Sequence, residues 1–71
     1  MNKHYFFNNT TDKNGYHEVH VEECSYLPNP LNRTYIGYYS SCQEAIEAAK
    51  KEYPLKLFDG CFFCCKNCHR G

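Results

Sequence analysis

Hydrophobic and polar positions alternate in Tyr16–Glu22 and take a helical spacing after Ser40. Lys3–Asn8 is aromatic-rich and reads as a strand. Asp12-Lys13-Asn14-Gly15 follows, and Asn-Gly is the strongest short-range hairpin signal. In Tyr16–Glu22, period two puts His17, Val19 and Val21 on one face and Tyr16, Glu18, His20 and Glu22 on the other. A β-hairpin is therefore predicted over residues 3–23. Leu27-Pro28-Asn29-Pro30-Leu31-Asn32 is a loop, because its paired prolines suit neither a helix nor a central strand. Thr34–Tyr39 (TYIGYY) is β-branched and aromatic, and is predicted as a third strand.

The spacing then turns helical. Ser40 with Gln43 and Ser41 with Glu44 both make capping-box patterns. Cys42, Ala45, Ile46, Ala49 and Tyr53 form one apolar face, Glu44, Glu47, Lys50 and Lys51 a solvated one. Pro54 ends the helix at Glu52 or Tyr53. Leu55–Phe58 reads as a short strand, Asp59-Gly60 as a turn, and CFFCCKNCHRG closes the chain as a cysteine knuckle. This order predicts an α+β fold: a hairpin plus third strand, one helix and the knuckle, as one domain over 1–71.

Length makes the knuckle important. A chain of 71 residues buries only about 60% of its unfolded surface, so its core is marginal without a staple. Seven Tyr and five Phe supply core material, and six Cys beside four His supply a candidate staple. Lys plus Arg equals Asp plus Glu, eight of each. That balance argues against a protein devoted to gripping nucleic acid, where a basic face supplies most of the affinity. No apolar run approaches the ~18–20 residues that span a bilayer, so no membrane role is expected. The opening MNKHYFFNNTTDKNGY lacks the apolar core of a signal peptide. The expected location is cytoplasmic, where cysteines are more often metal ligands than disulfides.

Three features point to zinc. His20 and Cys24 sit at the end of a strand, where the chain can turn both toward one ion. Cys61/Cys64 and Cys65/Cys68 are two consecutive C-x-x-C pairs, the spacing at which a tight turn aims two sulfurs at a tetrahedral centre. The two halves lie far apart in sequence, so one ion would tie the hairpin to the C-terminus. Either cysteine pair fits by spacing. Six cysteines also permit three disulfides, the weaker reading for a reducing compartment. Cys42, on the apolar helix face, reads as a small buried hydrophobe, with a reactive thiol as the lesser alternative. His4 reads as a packing or surface histidine, and His17, beside two valines, as structural rather than ligating. Cys65-Lys66-Asn67-Cys68-His69 matches the haem-attachment pattern C-x-x-C-H, which would also need export and an axial partner.

HVEECSYLP, NRTYIGYYSSCQEAIEAA and CKNCH together resemble the Ada-type zinc modules of the bacterial methylphosphotriester repair protein and some bacterial nucleases. The resemblance spans about residues 17–69. It implies zinc held by His20, Cys24, Cys65 and Cys68, with the helix at 41–53 on a small sheet. The family's glycine, four residues before its cysteine pair, would select Cys64 from Gly60, whereas C-K-x-C-H selects Cys65 and Cys68 by matching more residue types. Cys61 and Cys64 stay as the alternate pair, and His69 or His17 as alternate ligands of a second metal. In the repair protein the first ligand is the methyl-accepting cysteine; here it is His20, which has no thiolate, so self-methylation is not expected.

The resulting expectation is a monomeric, non-enzymatic zinc module that binds a partner, protein ahead of nucleic acid given the zero net charge. Tyr35, Tyr38, Tyr39, Phe62 and Phe63 are candidate contacts, with Lys56, Lys66 and Arg70 as a modest basic rim. A thiol-active protein using a spare C-x-x-C or Cys42, and a secreted disulfide-rich peptide, are the alternatives.

Overall fold

The computed structural model describes residues 1–71. Strand β1 (Lys3–Asn8) lies between β2 (Tyr16–Val21) and β3 (Arg33–Tyr39), antiparallel to both, and β4 (Leu57–Gly60) runs parallel to β2, giving the order β3-β1-β2-β4. The hairpin closes as its sequence predicts. Asp12 Oδ1 accepts from the backbone N–H groups of Asn14 (2.8 Å) and Tyr16 (3.0 Å). Gly15 supplies the positive φ of 86° that the turn needs.

Register fixes which side chains meet. Tyr5 pairs with Val21 and Phe7 with Val19, so these four share a face. Helix α1 (Cys42–Glu52) covers that face with Ala45, Ile46 and Ala49. Phe7 sits at the centre, its ring edge-on to His17, Tyr53 and Phe58 at 5.0–5.4 Å. His17 is buried in this core with Nδ1 2.8 Å from the Asn8 carbonyl, which satisfies it as a donor. The structural role read for it from its face holds here.

Ser41 caps α1, its hydroxyl accepting from the Glu44 N–H at 3.2 Å. The Glu44 carboxylate accepts from the Ser40 N–H (3.0 Å) and hydroxyl (2.8 Å), one residue outside the usual reciprocal box. These bonds hold the Glu44 carboxyl below its usual range. Tyr53 closes the helix with an N–H bond to Ala49, and Pro54 follows. No helix is long and apolar enough to cross a membrane.

The last strand departs from expectation. A strand is predicted over residues 55–58 and a turn at Asp59-Gly60; instead Leu55 and Lys56 turn, and β4 starts at Leu57 and continues through Asp59 and Gly60 beside Glu18 and Val19. Asp59 is only 6% exposed, and its carboxylate accepts from the N–H of Gly60 (3.0 Å) and of Arg70 (2.8 Å). A residue that reads as a turn former is thus an interior acceptor anchoring the C-terminal tail. Gly60 is there for space: a Cβ would lie 2.5 Å from the Cys65 carbonyl oxygen and 2.7 Å from Cys68 Cβ.

Candidate metal centre

Alternation along β2 turns His20 away from Val19 and Val21, to the side opposite α1. It is nevertheless only 1% exposed, because the chain leaving β4 returns to the end of β2. The parallel pairing of Val19 with Gly60 sets this meeting, and the Cys61 N–H bonds the Val19 carbonyl at 3.0 Å. Just past β2, the Cys24 N–H bonds the Val21 carbonyl at 3.1 Å and turns that side chain inward.

The outcome is a four-residue group. The ligand atoms of His20, Cys24, Cys61 and Cys64 all lie within 4.8 Å of one another. Cys24 and Cys61 sulfurs are 3.9 Å apart, and Cys64 Sγ is 3.9 Å from His20 Nδ1. Two sulfurs bound tetrahedrally to one ion at about 2.3 Å stand ~3.8 Å apart, so the spacing fits a single ion. Each sulfur also accepts a backbone N–H at 3.4 Å: Tyr26 to Cys24, Phe63 to Cys61, and Val21 to Cys64. Such donors are the outer shell that steadies thiolate ligands.

Electrostatics point the same way. Burial lowers the His20 pKa and so keeps the imidazole neutral, the form that ligates. Burial, then the adjacent Cys24 sulfur, pushes the Cys64 thiol far up, against the opposing Val21 N–H. The Cys64 thiol therefore resists ionising unless a cation joins it, and a dication reverses that balance. His20 Nε2 is buried with no hydrogen-bond partner. The Glu18 carboxylate faces it from 3.8 Å, outside hydrogen-bond reach. The donor set therefore fits a metal ion.

The cysteine pair selected through C-K-x-C-H is not in this group. Cys65 is buried in a disulfide with Cys42, and Cys68 is a free, half-buried thiol ending the 3-10 turn Lys66–Cys68. Burial raises the Cys68 pKa, partly offset by Arg70. Consecutive residues send their side chains apart: Cys64 reaches the end of β2, and Cys65 reaches the start of α1. The alternate pair, Cys61 and Cys64, takes the place beside His20 and Cys24. Gly60, four residues before Cys64, is the signal in the sequence that favoured it. Cys42 is likewise a disulfide partner rather than a free buried hydrophobe. Neither remaining histidine joins the group. His69 Nδ1 lies 2.9 Å from the Gly60 carbonyl, and His17 belongs to the core. His4 is held at the surface by the Tyr35 hydroxyl at 2.8 Å.

No family model, no curated protein and no solved structure matches this chain.

Proposed function

We propose that the chain is a non-enzymatic zinc module whose ion is structural and whose surface serves a protein partner. The observation that carries this reading is the closed ligand set, four protein donors within 4.8 Å of one another. Three thiolates and an imidazole favour zinc, and four protein ligands leave no position for a reactive water. The ion would join the hairpin to the C-terminal knuckle, where a core this small gains most.

The partner surface is the knuckle itself. Phe63 (63% exposed) stacks on Tyr26 (57% exposed) with centroids 4.3 Å apart, and Phe62 (50% exposed) meets Phe63 edge-on. Ligand residues flank these rings in sequence, so metal binding would hold an aromatic patch rigid at low entropic cost. Lys66 is the one cation placed over it, 6.0 Å from the Phe62 ring centre. A patch so sparsely charged suits a protein better than a polyphosphate backbone.

Native mass spectrometry before and after chelation tests the metal reading. One zinc per chain and loss of folded structure on chelation are expected. A native mass without metal, or a fold unmoved by chelator, would defeat it. Phe63→Ala tests the patch: the variant should keep zinc and melting temperature and lose partner capture.

A further inference from the structure

The metal group uses three of the six sulfurs. The others, Cys42, Cys65 and Cys68, line one open groove of about 420 Å³, with Gln43, Lys66 and Asn67 also on its walls and Cys64 of the metal group at its side. Cys42 and Cys65 are bonded to each other there. Cys68 is free, and its N–H bonds the Cys65 carbonyl at 2.9 Å. That three-residue turn holds Cys65 and Cys68 at the C-x-x-C separation at which two sulfurs can meet. Cys42 is half-buried at the first position of α1, whereas Cys65 is buried. Cys65 is thus bonded to one of these sulfurs and tethered through a short turn to the residue that carries the other.

We propose that this groove is a thiol–disulfide exchange site in which Cys65 is the shared sulfur, bridged in turn to Cys42 and to Cys68. Cys68 Sγ attacks Cys65 Sγ and gives up its proton. The Cys65–Cys68 bond forms as the Cys42–Cys65 bond breaks. The electron pair leaves on Cys42 Sγ, which takes up the proton. One disulfide is present before and after, so no oxidant or reductant is consumed. Cys42 is then a free thiol at the groove wall, able to form a mixed disulfide with a low-molecular-weight disulfide and release one equivalent of the corresponding thiol. The exchange also uncouples the start of α1 from the knuckle. No bond of Cys61 or Cys64 changes in this exchange, so it does not require the zinc reading.

The protein with its single disulfide is incubated with iodoacetamide at neutral pH, quenched in acid, and mapped by peptide mass spectrometry. Two singly labelled species are expected at these three positions. One carries the label on Cys68 with Cys42–Cys65 intact; the other carries it on Cys42 with Cys65–Cys68 bridged. Cys68→Ser and Cys68→Ala should abolish the Cys42-labelled species. Finding only the Cys68-labelled species in the wild type, Cys42 labelling that persists in both variants, or all six thiols free in the isolated protein would overturn the proposal. Metal content measured on the same samples keeps the two readings apart: chains without zinc that still give both labelled species would sink the zinc reading and leave this one standing.

Discussion

Two C-x-x-C pairs stand back to back in the last eleven residues, and the fold gives them different chemistry. Cys61 and Cys64 face the end of β2, where His20 and Cys24 wait, and complete a four-donor group. Cys65 and Cys68 share the same spacing but face the start of α1, where Cys42 takes Cys65 into a disulfide. Spacing sets only how two sulfurs relate to each other. What they become depends on the third and fourth groups brought to them, and those come from residues far away in sequence.

The largest expected contrast between the pairs is in the fold itself. His20→Ala and Cys61→Ser should lose the metal and, with it, cooperative unfolding, since about 5 kcal/mol is most of what a domain this small has. Cys68→Ser should keep both, as metal stoichiometry and thermal melts would show. Equal losses in Cys61→Ser and Cys68→Ser would erase the distinction between the pairs.

Acid comes next. Burial holds His20 below the usual 6.5, so as pH falls through that value the unfolded chain binds a proton that the folded chain resists, and stability drops. In the metal-free protein, burial pushes the Cys64 thiol above its usual 9.0, so the unfolded chain ionises first as pH rises and stability falls there too. A bound dication removes the alkaline loss, because Cys64 is then already ionised, and steepens the acid one through proton competition for the ligands. Melting against pH, with and without chelator, reads both arms.

Gly60→Ala strikes where the pairs diverge. Its Cβ would meet backbone of the Cys65–Cys68 turn at 2.5–2.9 Å, so a loss of roughly 1–3 kcal/mol is expected with zinc retained. Glu18→Ala, which removes the carboxylate facing His20 Nε2, should weaken metal affinity about tenfold in a chelator competition. Ser41→Ala should cost about 1 kcal/mol by removing the α1 cap, with zinc binding unmoved. That substitution marks the scale of a change touching neither pair.

Local physics made much of the molecule readable from residues alone. Alternation placed β2, and aromatic and β-branched residues placed β1 and β3; Asn14-Gly15 placed the turn; Ser41 and Pro54 bounded the helix. His20 and Cys24 were legible because a strand end presents both to one side. What depends on approach between distant segments was not legible. Asp59-Gly60 carries turn residues, yet Asp59 is used as a buried acceptor for Arg70 and Gly60 for its missing Cβ, and neither use has a local signature. The choice between the two adjacent cysteine pairs lay further out of reach, since each satisfies the same turn geometry. Only the parallel seating of β4 beside β2, with α1 covering the other face, brought Cys61 and Cys64 to His20 and Cys65 to Cys42. Sequence by itself determined the elements and the kinds of atoms available for chemistry. Tertiary structure decided which of those atoms meet, because a metal group or a disulfide needs several side chains within a few ångströms, and chain spacing controls only neighbours.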